Sequence, residues 1–189
     1  DGEARMFGMD LAFSVEIQIY REEDCEVLED AYTVSSELRF EREKLSIQQL
    51  LVKNISKIRL LEQHQIEANQ EKILQICGNS GSITIDSVEK RENGIQVEGI
   101  LNVHILYNTT EDSMPFAHTG SQIPFEQFIE IENFSEDATV CLDGKIEQLQ
   151  VNLLDNTEYE VKAVLQIGVL AFVQKNISNI VDVEELPLD

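Results

Sequence analysis

Apolar and polar residues alternate along most of this chain. Apolar side chains occupy every second position from Met9 to Ile19, and the same period recurs over residues 95–107 and 161–171. In a β-strand, successive side chains point to opposite faces, so alternation places the apolar set on one face. The pattern therefore predicts long strands that each have one buried face.

Turn residues join these strands into hairpins. Asn93-Gly94 follows a strand around residues 83–88, and Asn-Gly favours a tight turn that needs positive φ. Asp155-Asn156 separates a strand over 140–154 from one over 159–172, which predicts a second antiparallel pair. Apolar parity changes inside residues 140–154, so we expect a β-bulge near Glu147-Gln148.

Helix signals are few. Residues 46–51, with Ser46 as a cap, and residues 69–76 each predict one short helical turn. Residues 108–122 are polar and contain Pro115 and Gly120, which predicts a loop before a strand over 123–131. The fold class expected is all-β: an antiparallel β-sandwich-like module with long hairpins and one or two short helical turns.

The chain also contains a partial internal repeat. At an offset of 152 residues, the segment 9–30 aligns with 161–182 and keeps the same apolar parity. Residues 26–33, EVLEDAYT, then read as the exit tail of one module and the linker into the next. We therefore predict three parts: residues 1–35 as the final strand and linker of a preceding repeat, 36–185 as a complete module, and 186–189 as a tail.

The leading strand lacks a hairpin partner of its own. A long strand with open edges tends to associate. We expect residues 9–19 to pair either with the sheet of the complete module or with a neighbouring chain, which would make a homo-oligomer. Because the chain begins with Asp1 and not Met, we also expect the natural N-terminus to lie upstream.

Charge narrows the class of partner. Thirty-six acidic and fourteen basic residues leave a formal net charge of −22, which repels nucleic acid phosphates and anionic lipid headgroups. No apolar run approaches the length of a membrane span. We therefore expect neither nucleic acid binding nor membrane insertion.

Few residues are candidates for catalysis, metal binding or disulfide formation. Cys25, Cys77 and Cys141 have no CxxC spacing, which argues against a disulfide framework or a zinc site. The three histidines, with His104 on a polar strand face and His118 in the predicted loop, have no metal-ligand spacing either. We expect no catalytic residues, no metal and no cofactor, and hence a protein that is not an enzyme.

Two apolar side chains interrupt the predicted loop. Met114 and Phe116 flank Pro115 in an otherwise polar segment. Exposed apolar side chains of this kind can form a small protein-binding patch. Met114 and Phe116 are therefore the candidate protein-contact residues.

Four strings occur in order along this chain: VLEDAYTVSSEL, GIQVEGILNVHILYNTTED, IPFEQFIEI and YEVKAVLQIGVLAF. Taken in this order, they resemble the SPOCS domain, the repeated module of spore coat assembly and morphogenesis proteins in endospore-forming bacteria. Members often carry tandem repeats and a C-terminal LysM domain, whose wall-binding role is not carried onto these residues.

The resemblance implies a structural role in sporulation. It implies a non-enzymatic scaffolding and protein-interaction module of a spore coat morphogenetic protein, acting through sheet edges and loops. It also implies a cytoplasmic location in the mother cell, at the forespore or spore coat surface. Expected partners are other coat morphogenetic proteins, among them the coat-basement ATPase. Whether this repeat recruits partners or only spaces other domains stays open.

A second hypothesis is a ligand-binding or hydrolytic β-sandwich that acts on spore-wall polysaccharide. It predicts a concave, aromatic-lined cleft with convergent polar groups. The chain has no Trp and only four Tyr, which counts against a stacking platform for sugars.

Overall fold

The computed structural model describes residues 8–15, 17, 19, 21–34 and 36–186. These residues contain six strands and no helix. The strands are β1 (Glu37–Gln65), β2 (Ile73–Arg91), β3 (Gly94–Thr109), β4 (Phe116–Glu130), β5 (Thr139–Leu153) and β6 (Glu158–Leu186).

The strands form two three-stranded sheets, in the orders β1-β6-β5 and β2-β3-β4. The pairs β2/β3, β3/β4 and β5/β6 are antiparallel, as short hairpin connections require. The predicted all-β, antiparallel, sandwich-like fold is confirmed.

The β2/β3 hairpin is confirmed, with its turn one residue earlier than expected. Arg91 pairs with Gly94, so Glu92 and Asn93 are the two turn residues. Positive φ is found at Gly94, at 156°. An added Cβ there would lie 2.1 Å from the carbonyl oxygen of Ile129, so this position accepts only glycine.

The β5/β6 hairpin is also confirmed, and Asp155 organises its turn. One carboxylate oxygen of Asp155 accepts hydrogen bonds from the Thr157 amide at 2.7 Å, the Thr157 hydroxyl at 2.9 Å and the Glu158 amide at 2.8 Å. These donors, the Thr157 amide first, lower the pKa of Asp155. This is the local turn chemistry for which Asp is favoured in connections.

The predicted bulge lies where parity changes. Ile146 pairs with Leu165 and Gln148 pairs with Val164, which leaves Glu147 as the extra residue of β5. The Glu147 carboxylate lies 2.7 Å from the Lys57 Nζ on β1. The bulge prediction is confirmed.

Two local predictions are wrong. Residues 46–51 lie inside β1, and residues 73–76 begin β2, so neither forms a helical turn. Hydrogen bonds to a neighbouring strand, β6 for the first segment and β3 for the second, outweigh the weak helix propensity of a single turn. The predicted loop over 108–122 shrinks to residues 110–115, because β4 already begins at Phe116 and pairs with β3.

The predicted strand over residues 9–19 is not formed. The described residues of this stretch, 8–15, 17 and 19, lie in no strand. Its apolar side chains are all at least 68% exposed. An extended segment becomes a strand only when a neighbour takes up its backbone groups, and no described strand does so.

The chain divides into two units, and the larger one, residues 44–177, holds the core. Inward-facing residues of β3 and β6, such as Leu101, Ile105, Leu165 and Ile167, are almost fully buried. Tyr107 is buried as well and donates its hydroxyl hydrogen bond to the Glu71 carbonyl at 3.1 Å. Burial, and secondly the charge of Glu71, raise the pKa of Tyr107.

The other unit consists of the described residues of 1–43 and 178–189. Within it, the Ile180 amide donates to the Leu28 carbonyl at 2.8 Å. The Leu28 amide in turn donates to Asn179 Oδ1 at 3.1 Å. The Arg42 guanidinium donates to the Glu29 carbonyl at 3.0 Å. The segment around residue 28 is therefore attached to the end of β6.

Candidate functional site

Met114 lies in the connection between β3 and β4, as the sequence predicts, whereas Phe116, which was expected in the same loop, belongs to β4. Met114 is in the loop and is 52% exposed; Phe116 is the first residue of β4 and is 60% exposed. The connection, residues 110–115, is only six residues long, which limits the backbone conformations available to it.

Hydrogen bonds hold this loop in one shape. The Thr109 hydroxyl, which is almost fully buried, donates to the Met114 carbonyl and accepts from the Glu111 amide at 3.1 Å. The Met114 amide donates to the Glu111 carbonyl at 3.2 Å, and the Thr109 amide donates to the Pro115 carbonyl at 3.2 Å. The two apolar side chains are therefore presented by an ordered turn.

Leu106 belongs to the same surface. In the β3/β4 register, Leu106 pairs with His118 and Asn108 pairs with Phe116. Leu106 and Phe116 are thus diagonal neighbours on the outward face of the sheet, within reach of each other. Leu106 is 48% exposed. We name Leu106, Met114 and Phe116 the outer patch.

Sequence reasoning missed Leu106. The signal was available, because Leu106 stands at an outward position of β3 between His104 and Asn108, where polar residues are expected. An apolar residue on the polar parity of a strand indicates an exposed contact. Its significance depended on finding Phe116 on the adjacent strand.

A shallow depression lies beside the outer patch. It has a volume of about 320 Å³ and is lined by Gly78, Asn79, Ser80, His104, Leu106 and His118. The strand register explains this grouping, because Ser80 pairs with His104 and Leu106 pairs with His118. No carboxylate is among the described residues that line it.

Two of the three histidines, His104 and His118, line this depression, and His64 lies elsewhere. His104 is exposed on β3, as its parity predicts, and His118 is exposed on β4, not in a loop. The His64 ring stacks on Tyr159 at a centroid distance of 5.6 Å. Among the described residues, no group of three or more His, Cys, Asp or Glu side chains is placed to bind a metal ion.

Cys25, Cys77 and Cys141 form no disulfide bond. Cys25 and Cys77 are exposed and Cys141 is half-buried. The Cys77 thiol donates to the side-chain oxygen of Asn108 at 3.0 Å. Cys77 thus packs on the outward side of the β2/β3 pair.

A second groove lies on the sheet β1-β6-β5. It has a volume of about 250 Å³, and its lining includes Arg59, Leu61, Gln148, Gln150, Lys162 and Val164. The Lys162 Nζ lies 2.6 Å from the Glu160 carboxylate, and this hydrogen bond is the main cause that lowers the pKa of Glu160. This groove carries two of the fourteen basic residues of an acidic chain.

Within the part of the chain that the structure describes, no helix is long and apolar enough to cross a membrane.

The described strands form an antiparallel, two-sheet, all-β domain, and the outer patch lies on the exposed face of one sheet. Residues 72–154, which run from the start of β2 to the end of β5, match the family model described as SipL, SPOCS domain. The resemblance to the SPOCS domain noted from the sequence is therefore confirmed over these residues, and the match indicates a sporulation-related domain. No curated protein and no solved structure matches the chain.

Proposed function

We propose that this chain is a non-enzymatic protein-interaction module of a spore coat morphogenetic protein, and that it binds its partner through the outer patch. The observation that carries the proposal is the exposure of Met114 and Phe116 on an ordered turn beside Leu106. The SPOCS match supports a role in sporulation. The family implies the site of action, which is the mother-cell cytoplasm at the forespore surface.

The outer patch is large enough to contribute measurable affinity. Burying a Leu, Met or Phe side chain completely stabilises a complex by about 1.5–3 kcal/mol. Each patch residue is already about half covered, so we expect about 1 kcal/mol from each and about 3 kcal/mol in total. That corresponds to roughly a hundredfold in Kd.

The charge around the outer patch indicates the chemistry of the partner. Glu111 and Asp112 lie in the same loop, and the whole chain carries a formal charge of −22. A complementary surface has an apolar anchor and a basic rim, because like charges would oppose binding. Other spore coat morphogenetic proteins, including the coat-basement ATPase, are the partners to test.

Light scattering of the chain mixed with the coat-basement ATPase tests this function. We expect a complex whose Kd rises at least tenfold in the double variant Met114→Ser, Phe116→Ser. Phe128→Ser is the matched control, because Phe128 is on the same strand, is 44% exposed and lies at the far end of β4. Failure of the wild-type chain to bind would contradict recruitment of this partner and favour a spacer role.

A further inference from the structure

The shallow depression on the sheet β2-β3-β4 brings two histidines together. His104 on β3 and His118 on β4 both line it, with Gly78, Ser80 and Leu106 around them. Both histidines are exposed, and partner binding through the outer patch uses neither imidazole. The sequence gives no spacing signal for this pair, because its members stand on different strands.

The strand register places the two histidines diagonally across β3 and β4. His104 pairs with Gly120, and His118 pairs with Leu106. Directly paired residues share a face of the sheet, and so do residues two apart on one strand, so His104, Gly120 and His118 point to the same side. Diagonal neighbours of an antiparallel pair are within reach of aromatic and long side chains. The two imidazoles can therefore meet on the outward face.

Gly120 leaves room between the two imidazoles. A Cβ added at Gly120 would lie 3.7 Å from His104 Nδ1, so the His104 ring extends from β3 towards β4. The same Cβ would lie 2.7 Å from the Val103 carbonyl oxygen, so a larger residue here would displace the backbone of β3. On the β2 side, a Cβ added at Gly78 would meet nothing within 4 Å. Space for a bound ion is thus present beside both rings.

We infer that His104 and His118 form a two-histidine site for a divalent transition-metal ion such as Zn²⁺ or Ni²⁺. Imidazole nitrogen is a preferred ligand of these ions, and the metal–nitrogen distance is about 2.0–2.1 Å. One ion can therefore join two ring nitrogens that are up to about 4 Å apart. Because no third His, Cys, Asp or Glu among the described residues joins this pair, water completes the coordination shell.

The charge of the chain and the lining of the depression select this class of ion. A formal net charge of −22 attracts cations to the surface and repels anions such as phosphate. Mg²⁺ and Ca²⁺ prefer carboxylate and other oxygen ligands, and no carboxylate is among the described residues that line the depression. Two imidazoles without a carboxylate suit a transition metal better than a hard cation.

Nuclear magnetic resonance of the histidine rings tests the site within one molecule. The chain is titrated with Ni²⁺, whose unpaired electrons broaden the signals of nearby nuclei, at about pH 7.5 because metal ligands must be deprotonated. We expect the ring signals of His104 and His118 to broaden together. Those of His64, which stacks on Tyr159, should broaden only at higher Ni²⁺. Equal broadening of all three rings, or none at all, would overturn the site.

Isothermal titration calorimetry with Zn²⁺ measures what each imidazole contributes. His104→Ala and His118→Ala should each weaken binding at least about tenfold, since one remaining imidazole cannot chelate the ion. Both variants should keep the wild-type Tm, because both side chains are exposed. Equal Zn²⁺ affinity of the wild type and both variants would show binding to scattered carboxylates and would overturn the histidine pair.

Cys77→Ser is the matched control for this titration. Cys77 is exposed, and its thiol donates to Asn108 on the outward side of the same sheet, so it is the competing soft ligand on this face. The Cys77→Ser variant should retain the wild-type affinity for Zn²⁺. Loss of binding in Cys77→Ser, with binding kept in both histidine variants, would assign the metal to the thiol and overturn the inference. Both titrations use the chain alone, so their outcome is independent of the partner-binding test.

Discussion

Gly99 in the centre of β3 offers a sharp test of how the larger unit is packed. Gly99 pairs with Ile85 on one side and with Phe125 on the other. A Cβ added at Gly99 would lie 2.4 Å from the Thr84 carbonyl oxygen and 2.6 Å from Phe125 Cζ. The Phe125 ring therefore occupies the space that a side chain at Gly99 would need.

The cost of Gly99→Ala follows from these distances. Inserting a methyl group into a well-packed core usually costs about 1–3 kcal/mol. The Thr84 oxygen belongs to the backbone of a paired strand and cannot move without disturbing the ladder, so we expect about 2–3 kcal/mol. At about 2–4 °C per kcal/mol for a chain of this size, Tm should fall by roughly 4–12 °C.

Urea unfolding followed by circular dichroism measures this difference. Gly78→Ala is the matched control, because a Cβ at Gly78 meets nothing within 4 Å and should change stability by less than about 0.5 kcal/mol. In a double-mutant cycle, Phe125→Leu should recover part of the loss in the Gly99→Ala background. Equal stability of the Gly99→Ala and Gly78→Ala variants would refute the packing described for Gly99 and Phe125.

Two further predictions concern stability. Asp155→Ala should lower Tm at neutral pH, because the folded-state pKa of Asp155 is lowered by its turn donors and its stabilisation is present above the unfolded pKa. The Tm difference between wild type and variant should shrink as the pH falls through the folded pKa, and a difference that is independent of pH would contradict the assignment. Leu165→Ala, at a position that is 0% exposed, should cost about 2–5 kcal/mol in chemical unfolding. Leu106→Ala on the outer patch should cost less than about 0.5 kcal/mol, and a similar loss for both variants would contradict the assignment of inward and outward faces.

Local patterns in the sequence were sufficient to assign β3 and β6, their inward faces, the two hairpin turns and the bulge. Period-two alternation assigned β3 and β6 with their buried positions, and turn chemistry located both hairpins. The change of parity placed the bulge at Glu147. These features follow from residues that are near one another in the chain, so their physical causes are visible in a linear pattern.

Tertiary structure decided the features that depend on a distant partner. Residues 46–51 became strand because β6 pairs with β1. The described residues of 9–19 show a stronger strand pattern but lie in no strand, because no described strand pairs with them. Likewise, Leu106 joined Met114 and Phe116 only through the β3/β4 register. A sequence pattern states which face of a segment is apolar, but hydrogen bonds to another strand decide whether that face is buried.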